Sequence, residues 1–420
     1  MRKRVLFLLM AIACSSAKGQ SQQLRLTVGD AEKLFQDNNL ELVANRFNVD
    51  AAEAKVVQSR LFENPSITIE HNIYNRTNGK YFDFSKEGES TVEIEQLIYI
   101  AHQRDSRIRL ERMNKEVAVR QLELTMHVLK NEVDRQFFNL YYSLNEVKIY
   151  HTAIEQLQKI VEILKVQVEK GNVSLAEKSR ISALLLSLQQ ESNQRQDEAL
   201  EYQAALKVLL GIRQDIELLP EVDETSLAAS PLDKIDLQDL IVRIEERPDL
   251  KLASSACGAA YADIKVQKSD AFPKVSVHGF YDKHGPICND YFGLRLSFTL
   301  PVFNRNQGNI RAAKATYEGA QTNYQNQELN AVSSLTSTYY KMLNAWKLYK
   351  TSDMEISGDW QKIMEGVNDN FIKRNISLLE YVDYYQTYKE TIMNINELAR
   401  KSWLGMIDLN REAGFDAIKL

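Results

Sequence analysis

Proline is scarce in this 420-residue chain, and its placing is uneven. The seven prolines stand at 65, 220, 231, 248, 273, 286 and 301, with none from 66 to 219 or from 302 to 420. A proline inside a helix costs about 3 kcal/mol, so two such tracts admit very long helices. Cysteine is nearly absent: beyond Cys14 only Cys257 and Cys288 remain, and the chain does not read as disulfide-stapled. No 18-residue apolar run follows the first residues, so no transmembrane helix is expected. Basic excess is lacking too. The net charge is -5, and no basic stripe interleaved with aromatics appears, which argues against nucleic acid as a partner. No nucleophile–base pair, phosphate loop or zinc motif stands out, so the chain reads as no enzyme and no cofactor is expected. His71, His278, His284 and Cys288 lack metal-ligand spacing and read as surface or lumen polar residues.

What is present begins with a secretion signal over residues 1–19. Arg2, Lys3 and Arg4 precede the apolar run Val5 to Ala13, and Ala17-Lys18-Gly19 offers small residues for cleavage before Gln20. Lipid attachment at Cys14 is the competing reading. Either implies export from a bacterial cytoplasm.

The run from Gln103 to Lys170 has neither proline nor glycine. Its apolar residues fall at Val133, Phe137, Leu140, Leu144 and Val147, then Ile154, Leu157, Val161, Leu164 and Val168. Steps of three and four predict one helix with a coiled-coil seam, roughly 100 Å long at 1.5 Å per residue. It breaks at Gly171-Asn172-Val173-Ser174, and a return helix runs from Leu175 to about Leu210. Upstream, Leu24 to Thr27 lead into a helix from about Ala31 to Phe62, with Thr27 and Asp30 as caps. Ile67, Ile69, His71 and Ile73 alternate with polar residues as a strand does, and Val92, Ile94 and Gln96 do the same. Asn75 to Ser90 reads as a loop, and Ile212 to Asp236 as a linker.

The order then repeats. Pro273 aligns with Pro65 at an offset of 208, and Val275-Ser276-Val277 with Ile67-Thr68-Ile69. At 204, Gln307 and Arg311 align with Gln103 and Arg107; at 199, Tyr340, Leu343 and Asn344 align with Tyr141, Leu144 and Asn145. A second helical run goes from Asn309 to Lys373 and breaks at Arg374-Asn375-Ile376-Ser377. The expectation is one elongated unit over 20–420, with repeat 1 at about 27–211, a linker at 212–236 and repeat 2 at about 237–411.

The four predicted strands lie near 67–75, 90–99, 274–282 and 291–300, each long enough for a tilted bilayer crossing. Four strands cannot close a membrane barrel, and lipid forbids an open edge. If these strands cross a membrane, several chains must share a barrel; three chains give twelve strands. Tyr74, Tyr81, Phe82 and Phe84, then Phe280, Tyr281, Tyr291 and Phe292, suit interfacial girdles. Glu93 and Glu95 share one strand face, which on such a barrel is the lumen.

The repeat, the Asn64-Pro65-Ser66 entry to the first strand, the Leu300-Pro301-Val302-Phe303 exit from the fourth and the two breaks together resemble TolC-type outer membrane efflux channels. Gln96-Leu97-Ile98 followed by Gln103-Arg104 looks most like the heavy-metal, CzcC/CusC-like branch, although Ala101-His102-Gln103-Arg104 stands where that branch carries Gly-Lys-Arg. The resemblance implies a mainly α protein with a small β part. Repeated coiled-coil helices would form an α-helical barrel, and four strands per chain would enter a 12-stranded trimeric β-barrel. It also implies a homotrimer in outer membrane lipid, extending into the periplasm as a passive conduit. A periplasmic adaptor (membrane fusion protein) and an inner-membrane pump are the implied partners.

In that family a Gly-x-x-Ser/Thr-x-x-Asp/Glu pattern turns each long helix at its periplasmic tip. Here it falls on Gly171, Ser174 and Glu177 and, with arginine replacing glycine, on Arg374, Ser377 and Glu380. The resemblance implies a tunnel gate here, with Glu177 and Glu380 as a carboxylate ring, Phe371 in the constriction, and Arg374 or a nearby lysine pairing with Glu177 or Glu380. Since a non-glycine residue resists the left-handed conformation, the second turn is expected to differ in shape. The rival reading is a secreted periplasmic coiled-coil scaffold or adaptor with soluble hairpins.

Overall fold

The computed structural model describes residues 22–284, 288–356 and 360–420. The predicted secretion signal and Cys14 lie outside these. Strand β1 (Gln22–Leu26) is followed by α1 (Val28–Asn38) and α2 (Leu40–Ser59). The single helix predicted from Ala31 to Phe62 is thus two. Asn39 interrupts it because its extended backbone turns its side-chain oxygen onto the amides of Glu41 and Leu42, both at 3.0 Å. Such a cap offers the backbone an alternative to continuing the helix. Thr27 and Asp30 do open α1: the Asp30 carboxylate accepts from the Thr27 amide at 3.1 Å.

Strands β2 (Ser66–His71) and β5 (Ser90–Ile98) flank a loop holding a two-residue hairpin, β3 (Tyr74–Asn75) with β4 (Lys80–Tyr81). Helix α3 (Gln103–Glu169) spans 67 residues, and α4 (Leu175–Leu209) returns. The predicted linker is more structured than its composition suggests. It holds β6 (Ile216–Pro220), which pairs in parallel with β1, and the short helix α5 (Glu224–Ala229). Five-residue strands nearly two hundred positions apart leave no local periodicity to read. Helices α6 (Leu237–Val242) and α7 (Pro248–Ser269) lead to β7 (Val275–His284) and β8 (Asn289–Phe298). The second long run is described as α8 (Gln307–Ile356) and α9 (Trp360–Ile372), with 357–359 outside the described residues; α10 (Leu378–Ala413) follows.

The chain divides into two compact units. One holds residues up to Asp37, Val133–Ala228 and Glu355–Arg400; the other holds Asn38–Glu132, Ala229–Met354 and Lys401–Leu420. In the first, Leu157, Ile160 and Leu164 of α3 pack with Ile181 and Leu188 of α4, Met364 of α9, and Tyr381 and Tyr385 of α10. These α3 positions follow the three–four step seen in the sequence. In the second, the sheet has the order β2-β5-β7-β8, antiparallel throughout. Among the described residues, no helix is long and apolar enough to cross a membrane.

The two long helices begin alike. His102 and Asn306 adopt φ of 55° and 57°. The side-chain oxygens of Gln103 and Gln307 then accept from the amides of Ala101 and Arg305, both at 2.8 Å. A left-handed residue just before the helix favours glycine, and histidine and asparagine are tolerated there.

Candidate functional site

In the first unit, α3 ends in a left-handed Gly171, φ 71°. The Gly171 amide donates to Val168 at 2.9 Å and the Asn172 amide to Gln167 at 2.9 Å, the paired bonds of a Schellman stop. Ser174 then caps α4. Its hydroxyl accepts from the Glu177 amide at 3.1 Å, and the Glu177 carboxylate accepts from the Ser174 amide at 3.0 Å. This is a reciprocal capping box.

The second tip is built the same way, contrary to the expectation from Arg374. That residue adopts φ 63°. Its amide donates to Phe371 at 3.0 Å, and the Asn375 amide to Asn370 at 2.8 Å. Asn172 and Asn375 also tie their side chains back five residues, to Gln167 at 2.9 Å and Asn370 at 3.0 Å. Ser377 and Glu380 repeat the cap, amide to carboxylate at 2.7 Å and amide to hydroxyl at 3.2 Å. The Ser377 backbone and side-chain hydrogen bonds hold the Glu380 carboxyl below its ordinary value.

Within the chain, Glu177 and Glu380 thus spend a carboxylate oxygen on their own helix starts. The Arg374 guanidinium donates to the Asn172 carbonyl and makes no ion pair with Glu177 or Glu380 among the described residues. Lys373 faces Asp369 at 4.0 Å. Phe371 is half-buried and stacks on Tyr381, ring centroids 4.3 Å apart. Ile160, Leu164, Val173, Phe371, Ile376 and Leu378 line a cavity of about 360 Å³ between the two tips, together with Asn172, Glu177, Arg374 and Ser377. The seven predicted tip residues therefore lie on two like turns, joined by one arginine–carbonyl bond.

In the second unit the sheet has two chemically distinct faces. Register puts Ile67, Ile69, Val92, Ile94, Val277, Tyr281, Phe292, Leu294, Leu296 and Phe298 on one face. Leu294 and Phe292 are 76% and 77% exposed, far more than a water-facing hairpin tolerates in so continuous a patch. The other face carries Thr68, Glu70, Thr91, Glu93, Glu95, His278, Arg295 and Ser297.

On that second face His278 and Glu93, which the sequence singled out separately, meet in one cluster with Arg295 and Ser297. The His278 ring contacts Glu93 at 2.6 Å and Ser297 at 2.7 Å, and Arg295 donates to Glu93 at 3.1 Å. Phe280 lies over Gly293, where an added Cβ would stand 2.3 Å from its ring, and Arg295 stacks on Phe280. Alternation along β7 and β8 was the available signal, but it needed the inter-strand register.

The other singled-out residues are dispersed. His71 bonds Ser90 at 2.8 Å and stacks on Phe84; His284 bonds Asn289 and the Lys86 carbonyl; Cys288 is exposed. Among the described residues, no group of three or more histidine, cysteine or acidic side chains could hold a metal ion.

Comparison with known proteins agrees with this geometry. Toxin and drug export protein A of Aggregatibacter actinomycetemcomitans is 21% identical over 246 residues, 55% of this chain and 52% of that protein. The cation efflux system protein CusC of Escherichia coli (strain K12) is 22% identical over 231 residues, 53% of this chain and 50% of CusC. The chain spans about half the length of these curated relatives. Crystal structures of CusC superpose with a TM-score of 0.76 at 17% identity, covering 96% of this chain and 95% of that one. The Campylobacter jejuni CmeC outer membrane channel gives 0.74 at 16% identity, covering 93% and 87%. At such identities the likeness is one of fold. The family model for outer membrane efflux proteins matches residues 33–212 and 243–356. Over that majority of its length the chain belongs to the outer membrane efflux protein family, and is accordingly a protein of the outer membrane and not an enzyme.

Proposed function

We propose that this protein is the outer membrane channel of a tripartite efflux system, a passive trimeric conduit for metal ions or small toxic compounds. The observation that carries the reading is the four-stranded sheet with its exposed apolar face and, among the described residues, two unpaired edges, β2 and β8. In hydrocarbon those edges must find partners. Because strand direction alternates across the sheet, β8 of one chain can pair antiparallel with β2 of the next. Three copies then close a twelve-stranded barrel, an even number that membrane barrels use. The face bearing Glu93, His278 and Arg295 would line its lumen. Below the barrel, duplicated helical halves (about 27–211 and 237–411) would form the periplasmic tunnel.

The two like tips support a gate there, where a periplasmic adaptor and, through it, an inner-membrane pump would engage. The cargo class rests on the relatives, one named for cation efflux and another for toxin and drug export. Gly171, Ser174, Glu177, Phe371, Arg374, Ser377 and Glu380 are the proposed gate residues. Replacing Arg374 by Glu together with Phe371 by Ala removes the contact to Asn172 and the stack on Tyr381. Single-channel conductance in planar bilayers should rise, and cells carrying the variant should admit large antibiotics. Unchanged conductance in a correctly assembled double variant puts the gate elsewhere. Mass measurement in detergent should give three chains per particle; a stable monomer inserted in lipid ends the barrel reading.

A further inference from the structure

In the first unit, α3, α4 and α10 meet in a polar layer beside the apolar cluster of Leu157, Ile181 and Tyr385. The Glu191 carboxylate of α4 accepts from the Tyr150 hydroxyl of α3 at 2.8 Å, from the Lys389 ammonium of α10 at 2.9 Å, and from Ser187 at 3.3 Å. One turn along, the Glu146 carboxylate of α3, with 6% of its side chain exposed, meets Arg195 of α4 at 3.3 Å and Asn396 of α10 at 3.1 Å. Asn396 also donates to the Tyr142 carbonyl at 3.2 Å. Glu146 and Tyr150, and Glu191 and Arg195, are four residues apart; Lys389 and Asn396 are seven. Those spacings put each pair on one helix face.

Apolar seams hold helices together but specify axial position weakly, since sliding one turn trades one leucine contact for another. A buried polar layer differs. Its groups are satisfied in one register, and a slip strands the buried Glu146 without Arg195 and Asn396 and parts the half-buried Glu191 from Lys389. Around Glu191 the side chains hold the right forms for this, while burial pushes the Glu146 carboxyl up. Burial would raise the Glu191 carboxyl, but the hydrogen bonds from Lys389 and Tyr150 bring it below its ordinary value, so it stays ionised. Burial, then the bond to Glu191, pushes the Tyr150 hydroxyl up to about 12, so it stays a donor.

We propose that this layer is a register lock, holding α10 at one axial setting against the α3–α4 hairpin so that both tips of a chain move as one piece. Lys389–Glu191 joins the return helices of the two halves, and its release frees the tip end of α10 to shift. The conduit reading gives that shift its use; the lock itself is a property of the protein in detergent and is tested there.

Hydrogen exchange on the full-length detergent-solubilised protein decides it, using Lys389→Met, Glu191→Gln and the swap Glu191→Lys with Lys389→Glu. Each single variant should speed amide exchange around Met364, Tyr381, Tyr385 and Leu188 by roughly tenfold, and the swap should recover most of the loss. Lys373→Met, at an exposed pair, should change nothing. Native exchange rates in the single variants overturn the lock. So does a swap that exchanges as fast as they do. Tyr150→Phe deletes one hydroxyl and preserves packing, so it serves if a charge variant does not assemble: about a threefold rise supports the lock, and none overturns it. A trimer with unlocked exchange behaviour but no conductance would count against the conduit and not against the lock.

Discussion

Gly171 and Arg374 hold the same left-handed backbone, at φ 71° and 63°, although only one is a glycine. Each follows the last turn of a helix, and each is followed by an asparagine that ties back five residues. The arginine accepts the strain, and its guanidinium reaches the opposite tip at Asn172. A Cβ on Gly171 would meet nothing within 4 Å, so the cost of Gly171→Ala is conformational alone. It should destabilise the first tip by about 1 kcal/mol. Exchange of the amides around Val173 would report this, and native exchange there would refute it. Arg374→Gly should relieve the second turn by a similar amount while losing the bond to Asn172.

Glu380 makes the second tip sensitive to acid. Its folded pKa lies below its unfolded value because Ser377 hydrogen-bonds its ionised form. The stabilisation is therefore present above the unfolded pKa and disappears as pH falls through the folded one. In Ser377→Ala the Glu380 carboxyl should titrate closer to its ordinary 4.5. NMR titration of selectively labelled protein checks the direction; no upward movement would mean that the Ser377 amide, which the variant keeps, alone holds the carboxyl down.

The two sheet faces should tolerate charge differently. Leu294→Arg, on the apolar face, should cost about 2–4 kcal/mol of insertion stability near the bilayer midplane. Thr68→Arg, on the face shared with Glu93 and His278, should leave the yield of folded outer membrane protein close to native. Equal losses from both would mean that the apolar face does not meet lipid.

The loop between β2 and β5 is knotted around Asp83. Hydrogen bonds from Ser85, then Asn78 and Asn75, hold its carboxyl far below the usual range. A Cβ on Gly88 would stand 1.4 Å from the Asp83 carbonyl oxygen. Gly88→Ala cannot keep this backbone path, and the loop should become cleavable by external protease while the sheet stays inserted. A protease-resistant loop in that variant would show that Gly88 is not essential to the knot.

How much of this was legible follows from distance along the chain. The long helices announced themselves because proline exclusion and a three–four apolar step act within a turn or two. Two strands of the sheet were visible from alternation, the first ending at His71 and not near 75, the other two from the repeat, and the tips from the family pattern after each break. The break at Asn39 was hidden because asparagine also occurs within helices, and only its backbone angle shows that it caps. β1 and β6 were missed because each is five residues long and its partner lies 194 positions away.

By itself, the amino-acid sequence determined the long helices, the strands of the four-stranded sheet and the two turning points, because propensity, periodicity and capping are local physics. Tertiary structure alone decided where the Arg374 guanidinium would bond, since the Asn172 carbonyl it reaches is 202 residues away. It likewise decided that Glu93, His278 and Arg295 would meet on one sheet face, and that Tyr150, Glu191 and Lys389 would share a carboxylate between three helices. Those contacts depend on register and helix packing, which set distances between residues that the chain keeps far apart.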